Sequence, residues 1–176
     1  PIMKEGELHG FQIWINQPAK NKMAPAQYHD FQPETITEFE TQSSGVVRLI
    51  AGHLTIDNER IQGLLTETGV AATVADWRAM VGQALNLTTE QDHNMMLYVY
   101  KGRIQVKDRE INQGEMAILS KGEWVELQAE KESGALIFIG EPINEPVVHY
   151  GPFVMNSMEE IEQAIQDYNS GLFETY

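Results

Sequence analysis

Short apolar runs that alternate with polar positions recur along most of the chain, and Gly, Asn, Asp or Pro separates one run from the next. Alternation with a period of two is typical of strands that bury one face. The pattern predicts ten strands: Leu8–Asn16, Ile36–Thr41, Val46–Ile56, Met80–Leu87, Met95–Tyr100, Arg103–Val106, Met116–Leu119, Trp124–Gln128, Ala135–Ile139 and Val147–Tyr150. Many short strands at this spacing indicate an all-β sandwich or barrel of antiparallel strands.

The carboxyl-terminal segment follows a helical period instead. Four apolar residues recur at helical spacing, namely Met158, Ile161, Ile165 and Tyr168. Asn156 or Ser157 can cap the amino end, with Glu159 or Glu160 three residues further on, and Gly171 is a natural stop. The pattern predicts one helix of about three turns that packs its apolar stripe on the β-structure.

The first predicted strand, Leu8–Asn16, stands apart from the others. A connector with prolines at positions 18, 25 and 33 follows it and is typical of a loop. We therefore predict three parts: the strand and connector (residues 1–36), a β-barrel (37–152), and the helix with its tail (153–176). The isolated strand raises the question of what it pairs with.

The charge of the chain limits its partners. There are 26 acidic and 12 basic residues, so the formal net charge is −14. This charge repels phosphate backbones and anionic lipid, and no apolar run reaches the roughly 20 residues of a membrane helix. We expect no direct nucleic-acid binding and no membrane association. Cysteine is absent and no secretion signal is recognisable, so a cytoplasmic location is the expectation.

The five histidines give no recognisable metal motif. They stand at positions 9, 29, 53, 93 and 149, and none falls in an H-x-H or H-E-x-x-H pair. His9 shares its predicted strand face with Phe11, Ile13 and Ile15, which favours a packed, hydrogen-bonded histidine over a metal ligand. The histidines at 29, 53 and 93 fall near predicted turns, where a solvated role is expected, and His149 could face either way on its strand.

The spacing of the glycines resembles both motifs of the cupin barrels, in which H-x-H, E and a further H hold a metal. Gly82, Gly102 and Gly114 occupy glycine positions of these motifs. The ligand positions are occupied by Thr88 and Glu90 in place of H-x-H, by Met95 in place of the glutamate, and by Val125 in place of the last histidine. The barrel can tolerate these residues, but the usual metal cannot bind them. An unrelated β-sandwich is the alternative explanation of the glycines alone.

Two longer stretches resemble the pirin-like family. "HGFQIWINQPAKNKM" is similar to the family's H-G-x-Q-L-W-V-N-L-P-A-x-x-K-M, and "EPVVHYGPFVMNSMEEIEQAIQDYNSG" is similar to its carboxyl-terminal signature. The resemblance implies a bicupin, in which the first cupin holds iron through three histidines and one glutamate and the second has lost its ligands. It further implies that the chain comprises a complete second cupin and a truncated end of the first.

The resemblance places the iron ligands before residue 1, so no residue of this chain is expected to be catalytic or to bind metal. His9 and Gln12 match positions near the first cupin's cavity and are candidate remnants of its wall. The expected function is a metal-free interaction or regulatory module. The alternative is part of an iron-dependent quercetin 2,3-dioxygenase-type enzyme that is active only with the first cupin. The expected partner is another protein or that first cupin. The Leu8–Asn16 strand is expected either to pack on the second barrel with the carboxyl-terminal helix as cover, or to pair with a second copy in a homodimer.

Overall fold

A computed structural model describes residues 9–175, and fourteen strands and one α-helix form within that range. The strands are β1 (Thr37–Thr41), β2 (Gly45–Ala51), β3 (His53–Ile56), β4 (Glu59–Gln62), β5 (Ala72–Ala79), β6 (Ala84–Thr88), β7 (Asn94–Lys101), β8 (Arg103–Val106), β9 (Arg109–Asn112), β10 (Met116–Ile118), β11 (Trp124–Ala129), β12 (Ser133–Gly140), β13 (Val148–Tyr150) and β14 (Phe153–Met155). The helix α1 spans Met158–Asn169, and short 3-10 turns lie at Ala19–Asn21, Pro33–Thr35 and Leu172–Thr175.

Twelve of the strands form two six-stranded antiparallel sheets. The front sheet has the order β1-β2-β5-β12-β7-β10, and the back sheet has the order β4-β3-β6-β11-β8-β9. Neighbours that are distant in sequence, such as β5 and β12, show that the chain crosses repeatedly between the sheets. This arrangement is typical of a jelly roll. The predicted all-β class is confirmed.

The core lies between the two sheets and is almost entirely apolar. Both sheets contribute fully buried side chains, including Leu49 and Leu97 from the front and Leu85 and Leu127 from the back. Trp77 is the largest buried side chain, and its indole Nε1–H donates to the carbonyl oxygen of Ser44 at 2.6 Å. Burial of such side chains stabilises the fold by roughly 1.5–3 kcal/mol each.

The chain divides into two compact units. One comprises residues 25–144 and contains both six-stranded sheets, and the other combines the described part of residues 1–24 with the segment from residue 145 onward. The second unit contains the β13–β14 hairpin and α1. The units therefore divide the chain at other points than the predicted parts, whose boundaries stood at 36/37 and 152/153.

The predicted helix is confirmed, although its buried stripe differs. The Ser157 hydroxyl accepts the N–H of Glu160 at 3.2 Å, and the Glu160 carboxylate accepts the N–H of Asn156 at 2.7 Å, so the first turn is capped in both directions. Ile161 and Ala164 are buried, whereas Met158 and Tyr168 are exposed. The helix packs on the short β13–β14 hairpin, which is too small to cover the whole predicted stripe.

The structure corrects the first predicted strand. Leu8 lies outside the described residues, and residues 9–16 join no sheet. Alternation of apolar and polar residues gives a segment the tendency to form a strand, but a strand also needs a neighbour to complete its hydrogen bonds. No segment within residues 9–175 supplies that neighbour, so this part of the chain remains irregular.

Several other strand predictions had the right position and the wrong limits. The predicted Val46–Ile56 strand is divided at Gly52 into β2 and β3, and the predicted Met80–Leu87 strand begins only at Ala84 because residues 80–83 form a turn. Four strands were not predicted: β4, β5, β9 and β14. Of these, β5 lies in the middle of the front sheet and is buried on both faces, so its sequence shows little alternation.

Candidate functional site

A cavity of about 330 Å³ lies at one end of the two sheets. The start of β3, the end of β6, the start of β5 and the end of β12 meet there, and the loop of residues 63–71 closes one side. The lining is rich in hydroxyl groups and contains four ionisable side chains: His53, Arg60, Glu90 and His93. A concave site with convergent polar groups is the default candidate for ligand binding.

Gly52 fixes the backbone around this cavity. Its N–H donates to the carbonyl oxygen of Leu65 at 2.9 Å, and its own carbonyl accepts the N–H of Gly63 at 2.8 Å, which ties the 63–71 loop to the β2–β3 junction. Gly52 has a φ of +74°, and a Cβ at this position would collide with the carbonyl oxygen of Ala72. Only glycine adopts this positive φ without strain and also leaves room for the Ala72 carbonyl.

Three polar residues form a row across the back sheet beside the cavity. Thr55 of β3 is paired with Arg60 of β4 on one side and with Thr88 of β6 on the other. Directly paired residues of an antiparallel ladder project from the same face of the sheet. The guanidinium of Arg60 therefore shares a face with the two threonine hydroxyls, and all three residues line the cavity.

Two ionisable side chains of the cavity have no ionic partner in the described part of the chain. Neither Arg60 nor Glu90 belongs to any of the ion pairs formed among residues 9–175. The Oγ1 of Thr89 is buried and has no hydrogen-bond partner in this part of the chain. Because this atom is inaccessible to a water-sized molecule, it is not itself a contact for a ligand in the cavity.

The structure separates the four residues that the glycine spacing aligns with the metal-ligand positions of cupins. Thr88 and Glu90 line the cavity, whereas Met95 is only 4% exposed within the core and Val125 packs against that core. The thioether and isopropyl groups of the two core residues are not ligands that iron prefers, since it selects imidazole and carboxylate. No group of three His, Asp or Glu within the described chain could hold a metal ion. The residues present do not fit the family's iron site.

His9 and Gln12, the candidate remnants of a pocket wall, lie on the irregular segment of residues 9–16 and are exposed. The imidazole of His9 stands 4.8 Å from the ring of Phe11, centroid to centroid. Four large apolar side chains of the same segment are also exposed: Phe11, Ile13, Trp14 and Ile15. The expected packing of His9 on a strand face is therefore corrected, because the strand that would create that face does not form.

The two stretches that resemble pirin signatures contact each other directly. The Nζ of Lys22 donates to Asn16 Oδ1 at 2.7 Å and to the carbonyl oxygen of Val154 at 3.0 Å. The N–H of Ala19 donates to Glu145 Oε2 at 2.7 Å. These individual contacts have no local signal in the sequence, because more than a hundred residues separate the two stretches. They explain why both stretches occur in one compact unit.

A second polar cluster, on the front sheet, was not predicted from the sequence. The Tyr100 hydroxyl donates to Asp76 Oδ1 at 2.6 Å, and Arg78 pairs with Asp76 Oδ2 through Nε at 2.9 Å and Nη2 at 2.7 Å. Burial, together with the hydrogen bond to Asp76, raises the pKa of Tyr100 to about 12. The phenol therefore stays protonated and donates to the carboxylate at all physiological pH values.

Comparison with known proteins identifies the class. Residues 74–174 match the model of the pirin C-terminal cupin domain, which is more than half of the chain. A protein of Vibrio cholerae, named as a candidate quercetin 2,3-dioxygenase, is 58% identical over all 176 residues, which cover 62% of its length. Mouse pirin is 28% identical over 172 residues, which are 94% of this chain and 57% of that protein.

A solved structure agrees with these matches. The crystal structure of a quercetin 2,3-dioxygenase from Acinetobacter baumannii superimposes with a TM-score of 0.82 and 33% identity, covering 91% of this chain and 55% of the other. The chain belongs to the pirin family and contains its carboxyl-terminal cupin. It spans about three fifths of the length of the relatives that it matches. None of the helices in residues 9–175 is long and apolar enough to span a bilayer.

Proposed function

We propose that this chain is a metal-free cupin module whose role is protein contact, and that its partner is an iron-binding cupin of the pirin type. The observation that carries the proposal is the exposure of Ile13, Trp14 and Ile15 on residues 9–16, which pair with no strand among residues 9–175. Trp14 alone is 68% exposed. Contiguous large apolar side chains at a surface are typical of an interaction site.

The partner is inferred from the relatives. They are longer than this chain, and the portion that the chain leaves unmatched amounts to more than a third of the Vibrio cholerae protein. The sequence resemblance implies that this portion of a pirin is its other cupin. A β-rich partner would supply the neighbouring strand that residues 9–16 do not find among the described residues, because edge hydrogen bonds and apolar contacts form together.

Co-expression tests this proposal. The 176-residue chain would be produced together with the unmatched portion of the Vibrio cholerae relative, and co-elution would be measured by size-exclusion chromatography with light scattering. We expect a 1:1 complex that Trp14→Ser weakens. Trp124→Ser is the matched control, since Trp124 is also exposed but lies in the other compact unit. Separate elution of the two proteins would contradict the proposal, and a dimer of this chain that Trp14→Ser dissolves would identify a second copy as the partner instead.

A second candidate function is participation in a quercetin 2,3-dioxygenase-type enzyme. The candidate dioxygenase of Vibrio cholerae and the crystallised Acinetobacter baumannii enzyme favour it through their identity of 58% and 33%. In this case the chain supports the catalytic cupin and contributes no metal ligand. Aerobic consumption of quercetin with ferrous iron should therefore be absent for the chain alone and present for its complex with the other cupin. Turnover by the chain alone at the rate of a full-length relative would contradict this assignment.

A further inference from the structure

The cavity at the end of the sheets carries different chemical groups at its two sides, and the proposed protein contact does not involve them. A guanidinium lies on its β4 side, hydroxyl groups form its centre, and a carboxylate lies beyond the end of β6. We propose that this cavity binds a small hydroxylated carboxylate of the size of a sugar acid. The proposal does not depend on which protein contacts residues 9–16.

In this proposal, the guanidinium of Arg60 binds the carboxylate of the ligand. Three other arginines of the described chain are neutralised by acidic side chains, in the pairs Arg48–Glu38, Arg78–Asp76 and Arg103–Glu110. Arg60 forms no such pair among residues 9–175, although the chain carries a net charge of −14. A guanidinium offers two parallel donors that match the two oxygens of a carboxylate.

The hydroxyl groups of the ligand bind to threonine hydroxyls next to Arg60. Thr55 and Thr88 are adjacent across the β3–β6 pair, next to Arg60 in the same row. Hydroxyls both donate and accept, so a set of threonines suits a polyhydroxylated molecule better than a simple inorganic anion.

Glu90 fixes the orientation of the ligand. It follows Thr88 by two residues on the β6 side, while Arg60 lies two strands away, a separation of about 10 Å at the usual strand spacing. The carboxylate of Glu90 accepts hydrogen bonds from ligand hydroxyls and repels a ligand carboxylate. The acid group is therefore directed to Arg60 and the hydroxyls to Glu90.

Trp124 extends the same surface. It is paired with Thr88 in the β6–β11 ladder, so its indole lies on the face that carries Thr55 and Thr88, and it is 73% exposed. An exposed indole beside a hydroxyl-rich site offers a flat apolar surface to the C–H face of a sugar ring. The cavity volume of about 330 Å³ is at the small end of ligand sites, which suits a monosaccharide-sized molecule.

Titration of the 176-residue chain with D-galacturonate, followed by calorimetry and by amide chemical shifts, tests the proposal. We expect saturable binding at or below roughly 10 mM, with the largest shifts at Thr88 and Thr89. Arg60→Gln should weaken binding at least tenfold, and neutral D-galactose should bind at least tenfold more weakly than the acid. Arg109→Gln is the matched control, because Arg109 is also exposed and forms no ion pair with another described residue, but does not line the cavity.

Four results would overturn the proposal. They are no saturation with galacturonate, shifts confined to residues outside the cavity, equal loss of affinity in Arg60→Gln and Arg109→Gln, and binding of sulfate or galactose as tight as that of galacturonate. Sulfate binding of equal strength would indicate a general anion site. Circular dichroism of both arginine variants confirms that each is folded before its affinity is compared.

Discussion

Two clusters of charged side chains in this cupin differ in whether their charges have partners within the described chain. In the paired cluster, Asp76 accepts from Tyr100 and Arg78, so each charge is satisfied within the fold. In the open cluster, formed by Arg60 and Glu90 with the threonines between them, neither charged group has an ionic partner among the described residues. The first cluster therefore stabilises the fold, whereas the second is the cluster to which we assign ligand binding.

Replacement of Asp76, the acceptor of the paired cluster, should lower the free energy of unfolding the most. Asp76 is 8% exposed, and Asp76→Ala leaves the Tyr100 hydroxyl and the Arg78 guanidinium without their shared partner. We expect a loss of about 3 kcal/mol in the free energy of unfolding, measured by urea denaturation. Glu90→Ala is the control and should leave stability nearly unchanged. Equal stability of the two variants would remove the distinction between the clusters.

A substitution in the backbone turn beside the open cluster should lower the stability of the protein, even though substitutions of the cluster's own side chains should not. Gly52→Ala forces a positive φ on alanine and places Cβ against the Ala72 carbonyl, so we expect a loss of about 2 kcal/mol. Gly122→Ala is the comparison, since a Cβ there meets open space and its φ is not positive. Thermal or urea unfolding of both variants measures the difference. A Gly52→Ala protein as stable as Gly122→Ala would show that the loop is not fixed as described.

The Tyr100 hydroxyl should contribute less to the free energy of unfolding than Asp76 does, because Arg78 still neutralises Asp76 when the hydroxyl is removed. Tyr100→Phe is expected to cost about 1 kcal/mol of unfolding free energy at neutral pH.

The raised pKa of Tyr100 adds a pH dependence to that contribution. Since the folded protein holds this proton to about pH 12 and the unfolded chain only to about pH 10, the contribution is complete below pH 10 and is lost as the pH rises to 12. Stability measured across this range should fall more steeply in the unsubstituted protein than in Tyr100→Phe. Parallel curves for the two proteins would contradict the role of the buried phenol.

The side chains of the open cluster should contribute the least to stability. Arg60→Gln and Glu90→Gln remove charges that have no ionic partner in the described chain, so each should change the free energy of unfolding by no more than about 0.5 kcal/mol. Urea unfolding at low and high salt measures this. A loss above about 1.5 kcal/mol in either variant would show that the open cluster is structural, and the contrast with Asp76 would fail.

Much of the fold could be predicted from local sequence pattern. The strands with one buried face, such as β8 and β11, alternate clearly, and the helix carries its cap and stop signals at the residues where it begins and ends. The strand β5 was missed because residues on both of its faces are buried, and a strand of that kind has no polar period. Residues 9–16 show the converse, because a pattern that suits a strand does not supply the neighbour that a strand requires.

The candidate site could be predicted only in part. Thr88 and Glu90 were singled out through their place between two glycines, and both line the cavity. Arg60 and His53 have no such local signal, since they reach the cavity through the pairing of β3 with β4 and β6. The cluster of Asp76, Arg78 and Tyr100 likewise depends on the alignment of β5, β12 and β7. Side chains that meet across a sheet are determined by register, which a single sequence does not reveal.

Iron stoichiometry tests the central claim most directly. The purified 176-residue chain would be incubated anaerobically with ferrous iron, desalted, and analysed for metal by mass spectrometry, with Glu90→Gln as a comparison. Because Met95 and Val125, which the glycine spacing aligns with cupin ligand positions, lie in or against the core, we predict far less than one iron per chain and no difference between the two proteins. One iron per chain that is lost in Glu90→Gln would contradict the account of this domain as a metal-free cupin.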